Sequence, residues 1–179
     1  INLLIQEIEL LRQDGSRLLI NKNFEVFLAY TEKIPTLLHE IGRLREITFR
    51  EVGEGTNQSI DLDKFDDYFQ HLILWDNEAS KIAGAYRMGI GQDIYQKYGV
   101  KGFYVPELFN FDEQIHCLLR DSIEMGRAFV IKEYQQKTKP LFLLWKGIFH
   151  TTLRYPEHKY LLGGVSISNR FSDESKSLI

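Results

Sequence analysis

Residues 118–167 carry the stretch that decides the fold: LLRDSIEMGRAFVI (118–131), TKPLFLLWKGIFHTT (138–152) and KYLLGGVSI (159–167). The outer two pieces predict strands. The middle one sets Leu141, Leu144, Trp145 and Ile148 at helical spacing, with Thr138 as N-cap and Pro140 in the first turn. Strand, helix and strand in this order predict a right-handed parallel crossover. Within it, Trp145 reads as core packing that also has the shape to line an apolar tunnel.

Working outward, FQHLILW (69–75) and KIAGAYRM (81–88) predict two strands joined by a hairpin loop at 76–80. Leu37, Leu38, Ile41, Leu44 and Ile47 line one face of a helix over 33–50. FEVFLAY (24–30) predicts a strand, and 1–13 a helix on Leu3, Leu4, Ile8 and Leu11, followed by a turn at Asp14-Gly15-Ser16. VGEGTNQS (52–59) is a polar, glycine-rich loop. Residues 89–116, rich in tyrosine and phenylalanine, predict either a functional lid or an aromatic cover over one sheet face. The order is that of an α/β fold with a mixed sheet flanked by helices, one domain over 1–179. The chain starts at Ile1, and Ser172-Asp173-Glu174 reads as a helix start without a body, so a chain trimmed from a longer protein is expected.

Composition narrows the function classes. At 179 residues roughly 70% of the unfolded surface can be buried, so neither disulfide nor metal is needed for a core. Net charge −3 argues against a dedicated nucleic-acid binder. The lone Cys117 reads as a small packing residue in a reducing, cytoplasmic setting. No apolar run reaches the ~20 residues of a membrane span. The five histidines lack zinc-motif spacing, and Ser166 and Ser168 lack a hydrolase signature, so no metal is expected.

Asp61-x-Asp63-x-x-Asp66 puts three carboxylates within six residues, which repel unless cations lie near. Alone they read as a solvated loop. Arg87 sits in an otherwise small and apolar strand, where a carboxylate partner would satisfy it. Glu124 and Arg127 stand three apart in the next strand and share a face only if the strand bulges near Gly126.

In order, Arg45-x-x-x-Phe49, the aspartate triplet, His71-Leu72, Gly84-x-Tyr86-Arg87, Phe109, Glu124-x-Gly126-Arg127 and Leu144-Trp145-x-Gly147 resemble the ornithine and glycine N-acyltransferases. These GNAT-superfamily enzymes of bacterial aminolipid synthesis are sometimes labelled hemolysin-like. The same acidic and arginine positions look like those of acyl-homoserine-lactone synthases. The resemblance covers about residues 43–170. It implies a GNAT fold and transfer of a long acyl chain from acyl carrier protein, or less readily acyl-CoA, to the α-amine of an amino acid. No tightly bound cofactor is implied. The resemblance leaves room for a partner O-acyltransferase and for peripheral contact at the inner membrane face.

On that resemblance Glu124, Arg127, Arg87 and Asp66 are the expected catalytic set. Arg45, Phe49, Asp61, Asp63, Phe109 and Trp145 are expected to bind substrate, and His71 is read as structural. Lys137, Thr138 and Lys139 would hold the donor phosphate. Residues 135–140 carry no glycine, which suits the single phosphate of a carrier-protein pantetheine at least as well as a pyrophosphate. Val52-Gly53-Glu54-Gly55 stands where lactone synthases usually carry a tryptophan, which weighs against that alternative, as the lack of a cationic amphipathic segment does against a non-enzymatic membrane-damaging one. Glu124→Gln is expected to cut turnover and spare the fold.

Overall fold

The computed structural model describes residues 2–166 and 171–177. Its elements run α1 (Asn2–Gln13), β1 (Arg17–Asn21), β2 (Phe24–Tyr30), α2 (Pro35–Glu51), β3 (Gln70–Asp76), β4 (Lys81–Ile90), α3 (Gly91–Tyr98), α4 (Val105–Leu108), α5 (His116–Arg120), β5 (Ser122–Val130), α6 (Lys132–Gln135), α7 (Thr138–Arg154), β6 (Tyr160–Leu162) and α8 (Asp173–Lys176). One six-stranded sheet follows chain order, β1 to β6. The first five strands are antiparallel neighbours, and β6 joins β5 in parallel. The expected crossover is thus present as β5, α6, α7 and β6.

Strands β2 and β3 are buried on both faces, so their runs of Val, Leu, Ile and Phe have no polar alternation. Val26 and Leu72 face α7. A Cβ on Gly147 would stand 2.8 Å from Val26 and 3.0 Å from Leu72, so only glycine lets α7 close this tightly on the sheet. Successive strand residues alternate faces, and His71, Ala85 and Arg87 therefore point the other way, toward α2 and the loop after it. On that side a second aromatic core gathers Phe65, Phe69, Ile94, Phe103 and Leu119. Glu7 of α1 accepts from the N–H groups of Thr36 and Leu37, both at 2.8 Å, and supplies the start of α2 with the acceptor its own sequence lacks.

Several expectations are corrected. The strand predicted over 118–131 begins at Ser122. Residues 116–120 form a helix because Leu119 plugs the second core and Ser122 Oγ donates to the Leu119 carbonyl. The strand predicted over 159–167 narrows to Tyr160–Leu162, and Ile167 lies outside the described residues. The 89–116 stretch is not one irregular lid. β4 runs on to Ile90, short helices follow, and Phe103 is fully buried, so the aromatic cover is what forms. Strand β1 was not foreseen; Arg17 and Ile20 in it are exposed and its other three residues only partly buried. Lys137 rather than Thr138 caps α7. Leu3, Ile47 and Cys117, expected to be buried, are exposed. So is Trp145, at 54%, which rules out core packing as its role.

Candidate active site

The site starts from a close approach. Gly42 of α2 leaves room for Ile60 and Leu62, which would lie 2.6 and 2.7 Å from a Cβ there, and the Asp61 N–H donates to the Gly42 carbonyl at 3.1 Å. This pins the 60–66 loop along α2, one turn from Arg45. Arg45 then grips Asp66 with both ends of its guanidinium, at 3.0 and 2.8 Å, while its Nε lies 3.1 Å from the Asp61 carboxylate. Arg45 and Asp66 are each only 1% exposed. The substrate-binding role expected of Arg45 is therefore corrected: its guanidinium is spent on holding the loop.

Arg87 reaches the same cluster from β4. Its Nη1 lies 2.6 Å from Asp63 and 3.2 Å from Asp66. The guanidinium carbon stands 5.4 to 5.5 Å from the ring centres of Phe65, Phe69 and Tyr104. Burial pushes the Asp66 pKa up, but the Arg45 hydrogen bonds and the Arg45 and Arg87 charges outweigh it and hold the group at about 2. The aspartate triplet is thus not a solvated loop: Asp61 and Asp66 are buried.

The third arginine depends on a bulge. Ala85 faces Phe129 and Arg87 faces Gly126, so three steps of β5 oppose two of β4. The left-handed residue there is Arg127 itself, at φ +50°, and not Gly126. The turn swings Arg127 to the cluster, 3.7 Å from Asp61 and 3.6 Å from Asp63, with its guanidinium over the Tyr104 ring at 5.4 Å. Three guanidiniums and three carboxylates now balance. Arg127 is the accessible one of the three, 22% exposed against 1% for the others.

Glu124 meets Tyr104 too, through the main chain. Its carboxylate accepts from Tyr104 N–H at 3.0 Å and Val105 N–H at 2.6 Å, at the start of α4. It is 2% exposed, and burial pushes its pKa up. Glu124 and Arg127 thus converge on one residue.

His71 lies beneath the cluster, its Nε2 3.5 Å from the Asp66 carbonyl. Burial pushes its pKa down to about 4, so the ring is neutral in the fold. A depressed folded value means that its stabilisation is complete above the unfolded pKa of 6.5 and is lost as pH falls through about 4. We expect unfolding free energy to drop by about 3 kcal/mol between pH 7 and 4 on this account. His71→Gln should flatten that part of a urea-titration profile; an unchanged slope would exclude His71 as its source. The Asp66 contribution disappears in a lower window, as pH falls from its unfolded value of 3.8 through about 2.

Beside the cluster the sheet opens. β6 pairs with β5 only opposite Ser122–Glu124. From Met125 onward that edge of β5 has no strand partner among the described residues, and the strand leads through α6 to the start of α7. There α7 begins without a side-chain cap, and the Lys137 and Lys139 ammonium groups lie over the rings of Tyr134 and Phe24. Phe49 packs half-buried against the main core, and Phe109 is 58% exposed beyond α4. Phe109, Trp145 and residues 137–139 are not joined to the ion cluster. Sequence reasoning overlooked Tyr104, whose only signal was its place in an aromatic-rich run.

Residues 44–146 match the model of the acetyltransferase (GNAT) domain family. A glycine N(alpha)-acyltransferase of Bacteroides thetaiotaomicron is 34% identical over 181 residues, spanning 94% of this chain and 54% of that protein. A glycine N(alpha)-acyltransferase of Phocaeicola vulgatus is 32% identical over 166 residues, spanning 87% and 51%. The chain thus spans about half the length of these relatives. Among solved structures, the AHL synthase LasI superposes with a TM-score of 0.55, covering 78% of this chain and 71% of that one, at 13% identity, a likeness of fold.

Proposed function

The chain belongs to the acetyltransferase (GNAT) domain family, and from that premise we propose that it is an N-acyltransferase acting on the α-amine of an amino acid, glycine first. The observation that carries this reading is Arg127, a partly exposed cation held by a balanced buried cluster at the mouth of an open strand edge. A guanidinium so placed suits the carboxylate of an amino acid and leaves the amine free to reach a thioester on the β5 edge. The names of the two relatives support glycine as the acceptor.

The donor we propose is a long-chain acyl carrier protein thioester, with acyl-CoA as the weaker candidate, and the product an N-acyl amino acid for aminolipid synthesis. Residues 135–140 offer two lysines and a helix start but no glycine, an arrangement better suited to one phosphate than to two. Unpaired N–H groups along β5 would stabilise the oxyanion of the tetrahedral intermediate. Incubating the chain with each thioester and a panel of amino acids, with S-adenosylmethionine as a further acceptor, tests the proposal by mass spectrometry. Absence of any N-acyl amino acid would count against it, and product from S-adenosylmethionine alone would favour lactone-type chemistry.

Glu124 takes a positioning role in this reading. It holds Tyr104 over Arg87 and Arg127, and the amine's proton would reach its remaining lone pairs only through water. Glu124→Gln sets an amide NH₂ against one of two buried N–H donors. We expect a loss of about 1–3 kcal/mol in stability and at least a tenfold fall in turnover, where sequence alone suggested an intact fold. A urea melt with single-turnover kinetics checks both; a variant normal in both would exclude the role.

A further inference from the structure

α7 leaves one face uncovered. Leu141, Phe142, Trp145, Phe149 and Leu153 are each 50–60% exposed. At 100° per residue they fall within a stripe roughly 120° wide, running about 18 Å along the helix. The opposite face, with Leu143, Leu144, Gly147 and Ile148, packs on the sheet. A continuous row of large apolar side chains on an otherwise folded helix marks a contact surface.

Charge says what the surface suits. The protein carries a net −3, yet α7 has no Asp or Glu in its 17 residues. Lys137, Lys139, Lys146 and Arg154 lie at its start, flank and end, and among the described residues none is within ion-pair reach of a carboxylate. Lys146 lays its ammonium 5.1 Å from the centre of the Phe142 ring, so its stem follows the stripe while its charge stays at the rim. Tryptophan and phenylalanine inside, unneutralised lysines outside and no acid on the helix itself is the chemistry of a helix resting at an anionic lipid interface.

We propose that the outer face of α7 seats the protein on an anionic membrane surface, with Trp145, Phe142 and Phe149 entering the headgroup boundary. The proposal shares Lys137 and Lys139 with the donor-phosphate reading, but it stands on the apolar stripe and Lys146, and its test needs no donor, acceptor or turnover. No helix among the described residues is long and apolar enough to cross a membrane, and the contact proposed is that of a helix lying along the surface.

The test is sedimentation of the chain with vesicles of phosphatidylcholine, with and without phosphatidylglycerol, read together with tryptophan emission. Trp75 is buried, so Trp145 is the reporting indole. Binding should be at least tenfold tighter to the anionic vesicles, weaken in high salt and shift the emission to the blue. Trp145→Phe should keep most binding and lose the shift. Phe149→Glu, at an exposed position, should keep the circular dichroism spectrum and weaken binding at least tenfold. Failure to bind anionic vesicles would overturn the proposal. So would a dimer in solution, or capture of an acidic acyl carrier protein, that disappears on Phe149→Glu while vesicles are ignored.

Discussion

Asp66→Asn should destabilise the protein by about 3–5 kcal/mol, the range for removing one partner from a buried ion pair. Asp66 receives both ends of the Arg45 guanidinium, lies 3.2 Å from Arg87 and accepts the Asp63 N–H at 2.8 Å. Its loss leaves Arg45 buried with only Asp61 to neutralise it. It also frees the loop that carries Asp61 and Asp63. Against a total stability of about 5–15 kcal/mol, that threatens folding near physiological temperature. Urea denaturation is the measurement, with Asp67→Asn, an exposed neighbour, expected to change little. Replacing the pair together, as Arg45→Met with Asp66→Leu, should recover part of the loss, because an apolar pair needs no charge balance. Equal stability of Asp66→Asn and the parent would mean that the cluster does not organise the loop.

Arg127→Gly should lower kcat/KM for the amino acid by roughly 10- to 100-fold while the fold persists. Deleting a charged hydrogen-bonding partner of a substrate carboxylate costs about 1.5–3 kcal/mol, and each 1.4 kcal/mol is tenfold. Glycine is the informative replacement because residue 127 sits at φ +50°, where a side chain is strained. Relief of that strain offsets the lost contacts to Tyr104, Asp61 and Asp63, so the melting temperature should move little. The loss should appear mainly in KM for the amino acid, not in KM for the thioester. An unchanged acceptor KM in a stable variant would remove Arg127 from acceptor binding.

The contrast between these two variants shows how the six charged residues divide. Arg45, Asp61, Asp66 and Arg87 are all buried, at 1 to 2% exposure. Only Arg127 and Asp63 reach solvent. The family resemblance placed all six in one site, with Arg127, Arg87 and Asp66 expected to be catalytic and Arg45, Asp61 and Asp63 to bind substrate, but it could not say which are exposed, because exposure is set by what packs above each side chain. Sequence reasoning stated the requirement for a bulge near Gly126 correctly and named the wrong residue to bear it. The left-handed turn falls on Arg127, which stays there through ion pairs to a loop some 60 residues away.

Periodicity and order along the chain determined the α/β class, the hairpin and the crossover, since these depend on local spacing, whereas the set of charged residues came from the family resemblance. Tertiary structure alone decided where the strand at 122 starts, that 89–116 folds into short helices over a second aromatic core, and that Trp145 faces outward. The reason is physical. A helix of four or five residues is not stable by itself, and the face a side chain takes depends on which surface its element is pressed against. Tyr104 could be placed only by the tertiary structure. It sits in a run without a period, yet its ring and its N–H tie Arg87, Arg127 and Glu124 into one site across three separate stretches of chain.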